Sequence, residues 1–244
     1  MNGVILAGGA GTRLDPFTRV TNKHLLPVYD RPVIQYAIEQ LVGAGIRDII
    51  LVTDSSQMPA FKRVIDDARS LGAHGLEYVG QERPGGIAQA LGLAERFAAG
   101  GPVAVLLGDN IFERSIAPIV ERFRAAPRGA LLVLARVDEP SHYGIAVMDG
   151  ERISAIVEKP NQPRGNLAVT GLYLYDERVF DIVRSLRPSG RGELEITDVN
   201  NRYLEMGELR YERVAGYWID CGESVAMLFR AGQLVAEHGA NRPA

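Results

Sequence analysis

The chain has 244 residues, 46% hydrophobic and 23% charged, with a formal net charge of −3. That balance suits one large soluble α/β domain, and the slightly acidic charge argues against a general nucleic-acid surface. A single cysteine, Cys221, excludes a disulfide framework and a four-cysteine zinc site, and fits a reducing compartment. The N-terminal Met-Asn-Gly-Val-Ile-Leu carries no basic leader. No stretch approaches the roughly 20 apolar residues of a membrane helix. The expectation is a cytoplasmic protein with neither nucleic acid nor membrane as partner.

In chain order, short apolar runs at 4–6, 49–52, 103–107 and 131–134 read as strands buried on both faces. Between them, helical spacing appears at 33–42, 87–97 and 116–123. This alternation predicts an α/β fold, a three-layer open and mostly parallel sheet. After about residue 140 the pattern changes. Strands at 143–148 and 153–158 flank the hairpin signal Asp149-Gly150. A strand at 166–175, helices at 177–186 and 197–206, a strand at 209–214 and a helix at 223–238 complete the reading. No repeat or long linker interrupts the chain, so a single domain over 1–244 with a mixed second lobe is expected.

The first run ends in Leu6-Ala7-Gly8-Gly9-Ala10-Gly11-Thr12-Arg13-Leu14. Ligands in open α/β sheets bind beyond the carboxyl ends of strands, and glycines there let backbone N–H groups approach an anion. Two familiar phosphate loops are excluded. A Walker loop ends Gly-Lys-Ser/Thr, whereas this one runs Gly11-Thr12-Arg13; a dinucleotide fingerprint needs a small last residue, and Leu14 stands there. The plainer alternative is a tight turn that needs glycine and nothing more.

Lys23 follows Arg13 by ten positions, in a segment that Pro27 and Pro32 keep from being helical. Alone it reads as a surface charge; with the loop it is a candidate second cation for a triphosphate. Asp109, in Leu106-Leu107-Gly108-Asp109-Asn110, and Asp220, in Gly216-Tyr217-Trp218-Ile219-Asp220, each follow an apolar lead-in. Each could be a cap or turn residue. Together they form a candidate carboxylate pair for Mg²⁺, which takes one or two carboxylates plus phosphate oxygens.

Eight stretches in order, GVILAGGAGTRL, NKHLLPVYDRPVI, LLGDN, HYGIAVMD, VEKP, NLAVTGLYLYD, GRGELEITDVN and GYWIDCGE, resemble the sugar-1-phosphate nucleotidylyltransferases, from Met1 to about residue 235. The nearest likeness is to members that join dTTP to glucose 1-phosphate. The resemblance implies a Rossmann-like nucleotidyltransferase fold, with about 1–135 binding nucleotide and about 136–244 binding sugar. It implies transfer of a nucleotidyl group from a nucleoside triphosphate to a sugar 1-phosphate, releasing pyrophosphate. By position, Leu6, Ala7, Gly8, Gly9, Gly11, Thr12 and Arg13 hold the nucleotide and its phosphates. Arg13 neutralises the leaving pyrophosphate, Lys23 the α-phosphate, and Asp109 and Asp220 hold Mg²⁺. Gln81 and the backbone at Gly86 read the base. Asn110, Gly144, Glu158 and Val169 hold the sugar, and Lys159 and Arg191 its phosphate. Without the resemblance, Glu158-Lys159-Pro160 reads as a charged strand end and Arg191 as a surface charge.

Three departures bear on those expectations. His24 stands where many thymidylyl-transferring members carry glutamine, which leaves UTP or CTP open beside dTTP. Cys221 adjoins Asp220 in place of the usual threonine and reads as a small buried residue, since the reaction needs no nucleophilic thiol. Longer members carry a further C-terminal helical segment, so weak or absent end-product control is expected and the homo-oligomer common in the family stays open. A catalytically silent nucleotide-sugar sensor is the alternative from another class; the presence of Arg13, Lys23, Asp109 and Asp220 argues against it.

Overall fold

In the computed structural model, which describes residues 1–65 and 67–243, the chain enters through β1 (Asn2–Ala7), buried from Gly3 onward. A short hairpin, β2 (Pro27–Val28) and β3 (Arg31–Pro32), leads into α1 (Val33–Gly43). There follow β4 (Asp48–Asp54), α2 (Met58–Ile65), β5 (Gly75–Gln81), α3 (Ile87–Leu93) and β6 (Val103–Leu107). Next come β7 (Asn110–Phe112), α4 (Ala117–Ala125), β8 (Ala130–Arg136) and the hairpin of β9 (Gly144–Asp149) with β10 (Arg152–Glu158). The chain closes with β11 (Leu167–Tyr175), α5 (Val179–Ser185), α6 (Ile196–Glu205), β12 (Leu209–Arg213), β13 (Trp218–Asp220) and α7 (Val225–His238).

Among the described residues the main sheet has nine strands. β1 lies at its centre, parallel to β4 and β6, and β4 carries β5 on its outer side, again parallel. The long β11 runs antiparallel to β6 and also to β8 and β9, so one strand joins the regular first half to the mixed second half. β12 extends β8 in parallel.

Both faces of β1 are covered, which is why its sequence is apolar without alternation. Val4 and Leu6 pack with Leu91 of α3, Phe180 of α5 and Val199 of α6. Ile5 and Ala7 pack on the other face with Ile34 and Ile38 of α1, Phe61 of α2 and Phe123 of α4. The three layers and the largely parallel centre of the sheet are those the alternation implied. A third apolar cluster seats Ala231 and Val235 of α7 against Ile111 of β7 and Ile219 of β13. Among the described residues no helix is long and apolar enough to cross a membrane.

Four local readings are corrected. β5 escaped notice because Gly75, Glu77 and Gly80 break up its apolar content and only Val79 and Gln81 are buried. α2 escaped because only Phe61 and Ile65 of its one face are buried. The helix expected over 87–97 ends at Leu93 and continues as a 3-10 turn, Glu95–Phe97; Gly92 weakens its last turn, and the Asn2 side chain binds the Phe97 carbonyl at 3.1 Å. α7 starts later than residue 223 because the Ser224 hydroxyl accepts from the Met227 N–H at 3.2 Å and caps it.

Candidate active site

Because β1 and β6 are parallel neighbours, the loops that follow them open on the same edge of the sheet, and the Gly108 N–H donates to the Leu6 carbonyl at 2.9 Å. Lys23 joins them from a single 3-10 turn, Lys23–Leu25, whose cap Asn22 accepts from the His24 N–H at 3.0 Å. The Lys23 ammonium donates to Asp109 Oδ2, and both side chains are largely buried. Asp109 Oδ1 accepts from Asn110 Nδ2 at 3.1 Å. β13 pairs with β7 so that Asp220 lies opposite Asn110, and the Cys221 N–H donates to the Asp109 carbonyl at 2.8 Å. Residues far apart in sequence thus meet through one two-stranded ribbon. Gly222 completes it, since a Cβ there would lie 2.2 Å from Asp109 Oδ2.

Burial works against every charge in this cluster, and the neighbours decide each outcome. Asp109 is held well below the usual carboxylate range because Lys23 outweighs its burial. Asp220 moves the other way. Burial and then the Asp109 charge push it up to about 7, and among the described residues only the Gly222 N–H (2.9 Å) donates to its carboxylate. Lys23 is raised, Asp109 and Asp220 together overcoming its burial. His24 is pushed down to about 3 by burial and by Lys23, so the ring is neutral; Nδ1 lies 2.7 Å from Asn22 Oδ1 and is assigned as the donor. Lys23 therefore pairs directly with Asp109, while Asp220 feels its charge without a direct ion pair among the described residues. Arg13 is exposed and has no ion-pair partner among the described residues.

On one side of the Lys23–Asp109 pair lies a cavity of about 200 Å³. Of the expected nucleotide residues, Leu6, Gly8, Gly9, Lys23, Gln81, Gly86 and Asp109 line it, and His24, Pro84, Ile87, Ala90, Leu107 and Glu193 complete it. Its walls need glycine. A Cβ on Gly8 would lie 2.4 Å from Gln81 Oε1; Gly86 has φ 97°, and a Cβ there would meet the Leu194 carbonyl oxygen at 2.4 Å. The Gln81 amide is oriented by donating to Gln89 Oε1 at 2.7 Å. Ala7, Gly11, Thr12 and Arg13 lie outside this lining, and Arg13 borders the second cavity instead. Ala7 is fully buried, and Gly11, at φ 64°, turns the loop where a Cβ would crowd Thr18 and Lys23.

On the other side lies a cavity of about 170 Å³, bordered by Arg13, Lys23, Asp109 and Asp220 and by the expected Asn110, Gly144, Glu158, Lys159 and Val169. The two cavities share Lys23, Ile87, Leu107 and Asp109. Side chains build this second wall. Asn110 Oδ1 accepts from the Gly171 N–H (2.9 Å) and Trp218 Nε1 (2.7 Å), and Glu158 accepts from the Thr197 hydroxyl at 2.6 Å. Arg191 is not part of the lining. It binds Glu195 at 2.8 and 3.1 Å and reaches Glu158 at 3.3 Å. The sequence reading did not select Tyr143, Tyr173, Thr197, Asn200 or Trp218, all of which border the cavity. Tyr143 adjoins the selected Gly144, and Trp218 lies in the lead-in to Asp220.

Two carboxylates are too few protein ligands for a closed metal site, and among the described residues no group of three or more His, Cys, Asp or Glu gathers to hold an ion. The donor set does suit a hard cation that takes its other ligands from phosphate and water. The elevated Asp220 has a free oxygen and no direct cationic partner among the described residues, which marks a place for added positive charge.

A family model described as "Nucleotidyl transferase" matches residues 2–237. A glucose-1-phosphate thymidylyltransferase of Actinoplanes sp. is 45% identical over 226 residues, 91% of this chain and 74% of the relative. One from Neisseria gonorrhoeae is 44% identical over 227 residues, 91% and 78%. A Bacillus anthracis structure described as a glucose-1-phosphate thymidylyltransferase in complex with sucrose is similar at a TM-score of 0.91 and 45% identity, covering 96% of this chain and 94% of that one. A UDP-glucose pyrophosphorylase complexed with UDP-glucose is similar at a TM-score of 0.83 and 26% identity, covering 97% and 98%.

Proposed function

This chain belongs to the nucleotidyl transferase family, and we propose that it transfers a thymidylyl group from dTTP to glucose 1-phosphate, giving dTDP-glucose and pyrophosphate. The observation that carries this reading is the meeting of two differently built cavities at the Lys23–Asp109 pair. One substrate enters each, and the reacting atoms meet at the shared wall.

The glycine-walled cavity takes the nucleotide. The Gln81 amide and the Gly86 backbone hold the pyrimidine edge, a task that needs a donor and an acceptor. The Gly8–Gly11 loop and Thr12 present backbone N–H groups to the phosphates. The side-chain-walled cavity takes the sugar phosphate. Glu158 accepts sugar hydroxyls, Asn110 and the backbone at Gly144 and Val169 frame the ring, and Lys159 and Arg191 hold the phosphate. Arg191 shares its charge among Glu195, Glu158 and this phosphate.

A phosphate oxygen of the sugar 1-phosphate attacks the α-phosphorus, the bond from that phosphorus to the bridging oxygen breaks, and pyrophosphate departs with the electron pair. No proton transfer and no covalent enzyme intermediate are needed, so positioning and charge neutralisation carry the rate. Lys23 stands where both cavities open and stabilises charge gathering at the α-phosphate. Arg13 receives the pyrophosphate. Asp109 and Asp220 would hold Mg²⁺, which supplies neutralisation of the triphosphate when bound.

The test is pyrophosphate release measured across nucleoside triphosphates and sugar 1-phosphates, with and without Mg²⁺. The expected result is the highest kcat/KM for dTTP with glucose 1-phosphate and loss of turnover on chelation. No turnover with any pair overturns the reading. Higher turnover with UTP changes the base, since uracil and thymine show Gln81 the same hydrogen-bonding edge.

A further inference from the structure

α6 brings one more polar side chain to the second cavity. Asn200 is 1% exposed. Its Oδ1 accepts from the Tyr175 hydroxyl at 2.5 Å, while its Nδ2 is buried with no hydrogen-bond partner among the described residues. Asn200 borders the same cavity as Glu158 and Thr197. Tyr175 gives the amide little freedom. Its ring stacks between Tyr173 and Tyr203, with centroids 5.9 and 5.6 Å away. Turning the amide over would pair Nδ2 with Tyr175 and leave the carbonyl oxygen without a donor instead.

A buried amide donor without an acceptor is costly, and such groups are few in native proteins. Asn200 itself borders the cavity where a ligand would enter. We infer that Asn200 reads the sugar: its free Nδ2 donates to a ring-hydroxyl oxygen of the sugar 1-phosphate when the cavity fills. The inference rests on the reading of this cavity as the sugar-phosphate site. The amide is neutral, so it does not compete with Lys23, Lys159 or Arg191 for phosphate, and it selects for a hydroxyl. It also complements Glu158. An ionised carboxylate only accepts, and Asn200 offers the donor that the Glu158–Thr197 pair cannot.

A sugar lacking the hydroxyl that meets Nδ2 leaves the donor unpaired, and sites built to bond a hydroxyl reject analogues that lack it. The experiment compares kcat/KM for glucose 1-phosphate and its monodeoxy analogues in the wild type, Asn200→Leu and Tyr175→Phe, with dTTP saturating. The wild type is expected to lose about tenfold to a hundredfold on one deoxy sugar. Asn200→Leu is expected to lose a similar factor on glucose 1-phosphate, nothing further on that deoxy sugar, and nothing in KM for dTTP. Tyr175→Phe keeps the wild-type pattern, because it removes the protein partner of Oδ1 and leaves Nδ2 in place. A uniform loss across the whole sugar series in Asn200→Leu, or the same pattern in both variants, makes Asn200 structural and overturns the inference. Should Asn200→Leu not fold, Asn200→Ala carries the same comparison. A wild type inactive on every sugar 1-phosphate defeats the functional reading itself, whereas an active wild type with no Asn200-dependent position defeats only this inference.

Discussion

The two cavities that meet at Lys23 and Asp109 are built on opposite principles. The one nearer α3 is shaped by absent side chains: Gly8 leaves room for the Gln81 amide and Gly86 for the Leu194 backbone. The one nearer α6 is shaped by side chains that hold each other, Thr197 on Glu158 and Trp218 on Asn110. A backbone wall tolerates almost no added atom, while a side-chain wall is lost one hydrogen bond at a time. Substitutions on the two sides should therefore differ in size and in which substrate they affect.

The largest effect belongs to the shared wall. Asp109→Asn keeps the shape and removes the charge that holds Lys23, along with one carboxylate of the Mg²⁺ pair. Turnover should fall by about a thousandfold, on both substrates alike, with the folded structure retained by circular dichroism. Near-normal turnover would refute the role given to Asp109. Next comes Gly8→Ala. Its Cβ would stand 2.4 Å from Gln81 Oε1, the end of a flexible side chain, so the fold survives and the amide is displaced. KM for the nucleotide should rise about tenfold or more, with KM for the sugar phosphate unchanged. Thr197→Val is milder and falls on the other substrate. It removes one donor to a carboxylate, so KM for the sugar phosphate should rise by about threefold to tenfold while the nucleotide KM holds. If either variant moves both constants together, the two-wall distinction fails.

That distinction also explains what could be read in advance. Gly8, Gly9 and Gly11 announce themselves, because a backbone cradle has to be written in glycine right after the strand that places it. Asp109 and Asp220 were visible as acids after apolar lead-ins, but their meeting depends on the β7–β13 ribbon, two three-residue strands that no periodicity reveals. Thr197 and Asn200 were invisible as site residues for a different reason. They sit on α6, whose helical pattern accounts for them as ordinary core-facing positions, and only the packing of α6 on β10 and β11 turns that face toward the cavity. The parallel centre of the sheet was legible because strands buried on both faces carry an unbroken apolar signal. The half-buried edge strand β5 carried none.

The smallest effect on activity, and the clearest on stability, is expected where the side-chain wall is anchored. Asp176, just past β11, accepts from the Gly129 N–H (2.7 Å), the Tyr203 hydroxyl (2.7 Å) and Arg178 Nε (2.9 Å). Burial opposes its charge, but Arg178 and Tyr203 outweigh it and hold the carboxyl below its ordinary value. A carboxylate whose pKa is lower in the folded than in the unfolded state binds fewer protons when folded. Its contribution is therefore present above the unfolded value, near 3.8, and is lost as pH falls through the folded one. Asp176→Asn should cost about 2 kcal/mol at neutral pH, measured by chemical denaturation, and the gap between variant and wild type should close as pH drops below about 4. Both KM values should stay at wild-type levels, because Asp176 borders neither cavity. A gap that persists unchanged into acid would mean that Asp176 stabilises through shape and neutral hydrogen bonds rather than through its charge.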